Sequence, residues 1–347
     1  MQDQTQQART FLGTVKDEGP YLLEWICYHK LIGFNRIVIA SNDCEDGTSE
    51  MLDILDAAGE IIHVENSTRH KGEKGDPQNR AYARFWADET IRASEWLLVA
   101  DADEFLNIHV GDGTLDDLVE AVETRAGQSV DLISAPWRVF GNGGIVAFAD
   151  EPVIAQFTGA AATGLHKTQR LTAFKTLFRP RTVRRLGIHR PRLAPRFREG
   201  ENKALWVNGS GAPMPDRYLR QGWRFFDENY GDELVTMNHY MIKSSEAFLM
   251  KRYRGTANSD DEDRIDFSYF ETFNVNDVHD TRIQRHVDAL NASVAALKAA
   301  HPALARLHDS SLDWHRQKLE AARDHIIAHK PAIAAKLGLA RGTVEAS

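Results

Sequence analysis

The chain has 347 residues, a formal net charge of −8, a hydrophobic fraction of 42% and a charged fraction of 27%. This balance is typical of a soluble globular protein, and the negative charge excludes general attraction to nucleic acid or an anionic membrane. Two cysteines, Cys27 and Cys44, are too few for a disulfide framework or a structural zinc site. The first ten residues are polar and lack a hydrophobic signal core, so we expect a cytoplasmic protein with no nucleic-acid partner.

The first hundred residues alternate between strand and helix patterns. Short apolar runs bounded by turn residues predict strands, and amphipathic stretches with capping residues predict the helices between them. The strands are predicted at 10–15, 36–40, 60–64 and 96–100, and the helices at 21–32, 48–59 and 76–93. Four strands separated by helices predict an α/β fold with a doubly wound, mostly parallel sheet.

Beyond residue 110 the pattern is less regular. A helix is predicted at 114–124, a strand at 131–136, a strand at 234–240 and a helix at 245–253, whereas 137–230 has no clear period. From residue 281 onward the sequence predicts amphipathic helices that form a C-terminal extension.

Acidic residues follow three of the predicted strands. Ligands of an open parallel sheet bind at the carboxyl ends of its strands, where segments 16–18, 42–46 and 101–103 are expected. Acidic groups gathered at one edge repel each other unless a cation or ligand neutralises them. The pair Asp101 and Asp103 therefore predicts a site for a divalent cation that also binds phosphate oxygens of the ligand. The alternative is that the two aspartates only cap a turn.

Three ordered motifs resemble the family-2-like glycosyltransferases of the GT-A fold, in the branch related to glycosyltransferase family 92. The motifs are KDEGPYLLEW at 16–25, SNDCEDGT at 41–48 and DADEF at 101–105. A later stretch is also similar to that branch, through Asn238-His239-Tyr240, Lys243-Ser244, Phe248, Lys251, Arg252 and Gly255. The resemblance covers 10–110 well and 165–255 in patches. It implies a GT-A domain over 1–280, with a nucleotide-sugar half at 10–110, an acceptor half at 111–280 and a helical extension at 281–347.

The resemblance also implies roles for the residues at the sheet edge. Asp101 and Asp103 match the motif that binds the metal and the donor diphosphate, and Mn²⁺ or Mg²⁺ is the expected cofactor. Three residues of the second turn match the segment that meets the nucleoside: Asn42, Asp43 and Asp46. Asp43 could accept from a uracil-type N–H or a ribose hydroxyl group, and a UDP-sugar is the favoured donor. Glu18 either lines the same pocket or caps the following helix.

Two histidines and a lysine complete the expected donor site. In this fold a late histidine often adds a metal ligand, which favours His239, with His189 as the second choice. Lys243 is expected to pair with the diphosphate as a point charge. The alternative for His239 is a structural role, and the alternative for Lys243 is a solvated lysine at the start of a helix.

Inverting transfer requires a carboxylate that takes the proton of the acceptor hydroxyl group. The leading candidates are Asp227 and Glu228, in the irregular segment before the last predicted strand. A retaining route is left open.

An arginine-rich run at 179–198 is interpreted as an exposed loop with scattered salt bridges. A groove for an anionic acceptor, or peripheral contact with membrane phosphates, is the alternative.

The sequence thus predicts a metal-dependent glycosyltransferase that moves sugar from a nucleotide-diphospho-sugar to a hydroxyl group of a glycan or other acceptor. A sugar nucleotidyltransferase is one alternative, although the segment at 16–20 is not the glycine-rich loop that such enzymes need. A non-catalytic module that binds nucleotide-sugar or carbohydrate is the other. Neither a dinucleotide-binding motif nor a P-loop motif occurs in the sequence.

Overall fold

The structure, a computed structural model, describes residues 7–67, 76–163, 171–254 and 266–339. The side chains of Asp227, Tyr253 and Arg254 lie outside the described part. Within these ranges, nine strands form one sheet, and four short strands form two separate ribbons.

The amino-terminal half is the predicted β-α alternation. Its strands pair in parallel in the order β3-β2-β1-β4. These strands are β1 (Arg9–Val15), β2 (Arg36–Ser41), β3 (Ile62–Glu65) and β4 (Trp96–Asp101). The helices between them are α1 (Gly19–Leu31), α2 (Thr48–Ala57), α3 (Pro77–Ala87) and α4 (Glu89–Arg92). The prediction of four parallel strands is confirmed.

One predicted helix, at 76–93, is wrong as a single element. Asp88 has an extended backbone with ψ 120° and ends α3, and its side chain accepts a hydrogen bond from the backbone N of Thr90 to begin α4. An aspartate in that conformation caps a helix better than it continues one, so the chain forms two helices there.

The second half extends the sheet with mixed strand directions. From β4 the sheet continues through β8, β6 and β12 to β5, and β11 pairs with β6. The strands are β5 (Glu104–Ile108), β6 (Leu132–Val139), β7 (Gly159–Ala160), β8 (Phe174–Phe178), β9 (Val183–Arg185), β10 (Arg192–Leu193), β11 (Trp206–Asn208), β12 (Val235–His239) and β13 (Val278–His279). The helices are α5 (Leu115–Ala126), α6 (Val153–Gln156), α7 (Ser245–Arg254) and α8 (Phe267–Phe273).

The sheet curls back on itself at the turn between β4 and β5. These strands are consecutive in the chain and are joined only by Ala102 and Asp103, yet β8, β6 and β12 separate them in the sheet. Because a two-residue connection spans only a few ångströms, the far end of the sheet must return to the end of β4. The predicted acidic motif lies at this closure.

Three C-terminal helices pack on the sheet domain. They are α9 (Val287–Ala300), α10 (Pro302–His329) and α11 (Pro331–Lys336), and α10 contacts α1, α2 and α7. Leu290 and Leu304 are buried in the same core cluster as Phe11 and Trp25. The predicted helical extension is therefore present, while the predicted domain boundary at residue 280 stays a prediction. No helix in the described ranges combines the length and hydrophobicity that crossing a membrane requires.

Candidate functional site

Three carboxylates lie on or beside the turn that joins β4 to β5. Asp101 ends β4, Asp103 lies in the turn and Glu104 begins β5. Side-chain exposure is 33% for Asp101, 11% for Asp103 and 0% for Glu104. The turn follows the carboxyl end of a parallel strand, where ligands of such sheets bind. The structure places Asp101 and Asp103 at the edge that the sequence indicates.

A buried lysine on β8 neutralises two of these carboxylates. Nζ of Lys175 lies 3.0 Å from Oδ2 of Asp101 and 3.0 Å from Oε2 of Glu104, and its side chain is fully buried. Burial lowers the pKa of Lys175, but Asp101 and Glu104 raise it by more, so the ammonium group keeps its proton. The other oxygens of the two carboxylates also accept hydrogen bonds. Nε2 of Gln78 donates to Oδ1 of Asp101 at 2.9 Å, and Nε1 of Trp137 donates to Oε1 of Glu104 at 2.7 Å.

Asp103 meets a histidine and a second lysine. Nε2 of His239, at the end of β12, lies 3.2 Å from Oδ1 of Asp103, and Nζ of Lys251 on α7 donates to Oδ2 at 2.7 Å. Burial raises the pKa of Asp103, but the charges of Lys251 and His239 outweigh it and hold the pKa well below its usual value. Asp103 is therefore a carboxylate, and His239 lies beside it, while the role of His239 as a metal ligand stays a prediction.

Lys243 belongs to the same electrostatic cluster. Its side chain is buried, its ammonium group lies 4.3 Å from the centre of the Tyr21 ring, and its charge helps to lower the pKa of Asp103. Its backbone has φ 56°, in the left-handed region that is uncommon for a residue with a side chain. Such strained positions cluster at functional sites.

His189 also packs against Trp137. Its ring stacks on Trp223 at 4.2 Å between centroids and meets the Trp137 ring edge-on at 5.4 Å, while Trp137 also packs edge-on against His239 at 4.4 Å. Burial, with repulsion from Lys175, lowers the pKa of His189 to about 3. The imidazole is therefore neutral near pH 7, and its contact with the carboxylate cluster runs through the Trp137 ring.

The chain is similar in sequence to known proteins. A family model described as glycosyltransferase family 92 matches residues 15–203, more than half of the sequence. The chain belongs to glycosyltransferase family 92. A family 92 protein of Oryza sativa subsp. japonica is 25% identical over 225 residues, which are 64% of this chain and 35% of the rice protein. One from Ricinus communis is 24% identical over 246 residues, 70% of this chain and 37% of that protein.

This family 92 chain spans little more than a third of the length of those plant relatives. Among solved structures, one described as the crystal structure of a mycobacterial protein is similar over 38% of this chain and 41% of that chain. Its sequence identity is 14% and its TM-score is 0.26, too low to support an argument from its fold.

The expected metal site is only partly formed. Asp103 and His239 are 3.2 Å apart, close to the separation of about 3 Å between adjacent ligands of one octahedral ion. Asp101, the third expected ligand, instead faces Lys175 and Gln78. Within the described ranges, no group of three or more His, Cys, Asp or Glu side chains is arranged to hold a metal ion. As they stand, these residues do not fit a preformed site, and the ammonium groups already balance the carboxylates.

The turn after β2 contains one fully buried carboxylate. Asp46 has a fully buried side chain, whose Oδ2 accepts from Gly19 N at 2.9 Å and lies 3.2 Å from Ser311 Oγ and 3.0 Å from His315 Nε2. Its Oδ1 accepts from Thr48 N and Oγ1 at 3.0 and 2.5 Å. The side chain was expected to bind the donor, but it is inaccessible because it joins α10 to the starts of α1 and α2.

The other two residues of that turn remain at the sheet edge. Asn42 is buried, and its backbone N donates to Val15 O at 3.0 Å. Asp43 has φ 48°, accepts from Ser67 Oγ at 2.5 Å and lines a cavity of about 280 Å³ with His63. Their predicted role in binding the nucleoside stays a prediction.

Glu18 occupies the N-cap position of α1. Its side chain makes no capping hydrogen bond, and its backbone N donates to Thr48 Oγ1 at 3.1 Å. The first amide of the helix, Gly19 N, is bonded by Asp46 instead. Capping by the Glu18 side chain is therefore wrong, and its place beside the donor stays a prediction.

The two candidate bases lie on a 3-10 turn, Asp227–Asn229. Glu228 is exposed and forms an ion pair with Arg217, at 2.8 Å between Oε1 and Nη2. Within the described residues, no contact joins Glu228 to the carboxylate cluster. The side chain of Asp227 lies outside the described part.

Sequence reasoning missed the main cation of the site. Lys175 stands in the apolar strand sequence FKTLF, which is buried throughout β8. A single lysine within a short apolar run implies a buried ammonium group, which in turn requires a buried carboxylate partner. That signal was present but did not identify the partner, because β8 lies in a region without a clear period. Glu104 and Lys251 were named as motif residues without a role.

Proposed function

We propose that this family 92 chain is a glycosyltransferase that moves sugar from a nucleotide-diphospho-sugar, with a UDP-sugar favoured, to a hydroxyl group of a glycan or other acceptor. Family membership and the names of the two plant relatives support the reaction class. The observation that carries the site assignment is the convergence of Lys251, His239 and Lys243 on Asp103 at the carboxyl end of β4.

The cations of this cluster suit a diphosphate leaving group. In the proposed inverting step, the acceptor oxygen bonds to the anomeric carbon while the bond from that carbon to the diphosphate oxygen breaks. The electron pair leaves with the diphosphate, whose growing charge is stabilised by preorganised cations. We assign Lys251 and Lys243 to this role, because both already act on Asp103.

The acceptor hydroxyl group gives its proton to a carboxylate in this scheme. Exposure of Glu228 and its ion pair with Arg217 argue against it as the base. Asp227 is the remaining sequence candidate.

The requirement for Mn²⁺ or Mg²⁺ stays a prediction, because the described residues do not form a complete metal site. A cytoplasmic location is also a proposal, supported by two cysteines that are free thiols.

The test is a thermal-shift screen of nucleotide-sugars, followed by measurement of nucleoside diphosphate release. A donor that stabilises the protein and is then hydrolysed or transferred supports the proposal. Asp103→Asn should abolish the donor-dependent shift. Asp313→Asn, at an exposed position on α10, is the matched control and should keep it. Donor binding without turnover, across a broad acceptor panel, would show a binding module and refute the proposed reaction.

A further inference from the structure

A cavity of about 750 Å³ lies beside the carboxylate cluster, between α3 and the β9–β10 ribbon. His189 lines it, and the His189 ring contacts Trp137, whose Nε1 bonds to Glu104. On its opposite side, Asn79 lines the cavity next to Gln78, which donates to Asp101. The cavity therefore adjoins the proposed donor site and is large enough for a sugar unit.

Three arginines line this cavity: Arg185, Arg190 and Arg192. Arg185 and Arg192 are exposed, whereas Arg190 is only 7% exposed. Throughout the described ranges, no acidic side chain forms an ion pair with any of the three. The wall is thus positively charged although the chain as a whole carries a net charge of −8.

Arg190 is a buried cation whose hydrogen-bond partners are neutral. Nε donates to Pro191 O at 3.3 Å, and Nη1 donates to the carbonyl oxygens of Tyr218 and, at 3.2 Å, Gly222. Among the described residues Nη2 is buried and has no hydrogen-bond partner. Burial and the charges of neighbouring arginines lower the pKa of Arg190 to about 9. The guanidinium group lies 4.6 Å from the centre of the Trp206 ring, so Arg190 adds buried positive charge behind the cavity wall, and this charge favours an anion in the cavity.

Aromatic side chains form another part of the cavity wall. Tyr82 and Trp86 of α3 line it, as does Trp223, which is 37% exposed although it is a large apolar residue. Aromatic rings provide rigid apolar surface that suits the C–H face of a sugar ring. Arginine presents a planar fork that binds carboxylate and phosphate groups through two hydrogen bonds. A cavity with both features suits a ligand that is a sugar and an anion.

We propose that this cavity holds the acceptor, and that the acceptor is an acidic saccharide whose carboxylate or phosphate group is bound by Arg192 and Arg185, with the buried charge of Arg190 behind them. The assignment of the ligand as acceptor rests on the proposed transferase function. Binding of the acidic saccharide does not rest on that function, since the arginines of the cavity wall are part of the chain itself.

The experiment is an NMR titration of the donor-free protein with glucuronic acid, glucose 6-phosphate, glucose and inorganic phosphate. At least one acidic sugar should bind ten times more tightly than glucose, and comparison of the two acidic sugars identifies the anion. Arg192→Gln and Arg185→Gln should each reduce that preference at least fivefold. Arg196→Gln, at an exposed position outside the cavity lining, should leave it unchanged.

Three results would overturn the proposal. Equal binding of acidic and neutral sugars removes the role of charge. If inorganic phosphate binds as tightly as glucose 6-phosphate, the sugar has no role in binding. If Arg196→Gln reduces the preference as much as Arg192→Gln and Arg185→Gln do, the preference reflects only general attraction between charges. Nucleotide-sugar hydrolysis is measured in parallel, so hydrolysis without selective binding rejects only this inference. Selective binding without hydrolysis or transfer rejects the proposed function and the assignment as acceptor.

Discussion

Nζ of Lys175 lies 3.0 Å from Oδ2 of Asp101, although the two residues are 74 positions apart in the chain. The same ammonium group lies 3.0 Å from Oε2 of Glu104, so one buried cation serves two carboxylates on either side of the β4–β5 turn. This arrangement fixes the direction of the Asp101 side chain. It also makes the charge balance of the site depend on a residue in β8, a strand from the middle of the chain.

Replacing Lys175 by methionine should strongly destabilise the protein. Removal of one partner leaves buried carboxylate charge without compensation, which costs about 3–5 kcal/mol in the free energy of unfolding. Urea denaturation measures the change. Lys203→Met is the control: Lys203 is exposed and pairs with Asp216, and loss of an exposed pair costs about 1 kcal/mol or less.

A double substitution tests whether the cost comes from the buried charge. With Glu104→Gln added, Lys175→Met should lose less stability than the sum of the two single changes, by about 1 kcal/mol or more. Strictly additive losses would mean that Lys175 and Glu104 do not share an interaction.

Lys251 is expected to contribute to donor binding as well as to folding, because its ammonium group also compensates the buried charge of Asp103. Its ammonium group donates to Asp103 beyond the carboxyl end of β4, where the proposed diphosphate would add negative charge. Lys251→Met should raise the dissociation constant for the nucleotide-sugar about tenfold or more, the effect of losing about 1.4 kcal/mol. Titration calorimetry with the donor found in the thermal-shift screen provides the measurement.

Lys336→Met is the matched control for Lys251→Met, because Lys336 is exposed and pairs with Glu271 on the surface. Its donor affinity should equal that of the unchanged protein. If both variants bind the donor equally well, Lys251 has no part in donor binding.

The regular half of the fold could be predicted because its signals are local. Continuous apolar runs indicated buried parallel strands, and the strand–helix alternation then placed Asp101 and Asp103 at a ligand-binding edge. The partners of these residues could not be predicted in the same way. Lys175, Lys251 and His239 come from distant segments, and only the curled sheet brings them to the turn.

The burial of Asp46 could not be predicted from the residues around it. Its position after a strand indicated a ligand-binding role, but α10, more than 260 residues later, covers it with Ser311 and His315. Contacts this distant leave no local pattern. Gly19 reflects the same packing, since a Cβ atom there would lie 2.0 Å from Ser311 Oγ.

The predicted metal requirement can be tested directly against the arrangement of lysines. If the prediction holds, chelation by EDTA abolishes turnover of the nucleotide-sugar, and Mn²⁺ or Mg²⁺ restores it. His239→Ala should then weaken metal affinity while changing the melting temperature little. Full turnover in EDTA would contradict the prediction and leave Lys251 and Lys243 as the groups that offset the leaving-group charge.

Asp46 should make stability depend on pH in the acid range. Burial raises its pKa, but the hydrogen bonds and charge of His315 and the bonds from Thr48 and Gly19 outweigh it, and the pKa falls from 3.8 to about 2. A carboxyl group with a lowered folded-state pKa contributes stability above its unfolded-state pKa. That contribution is lost as pH falls from about 4 towards 2, and amounts to about 2 kcal/mol at neutral pH.

Asp46→Asn should therefore reduce the free energy of unfolding at pH 7 by about 2 kcal/mol, and the difference should shrink towards pH 2. Urea denaturation across this range measures both effects, with the exposed Asp313→Asn as control. A constant difference between Asp46→Asn and the unchanged protein at every pH would mean that the Asp46 charge does not hold α10 to the sheet domain.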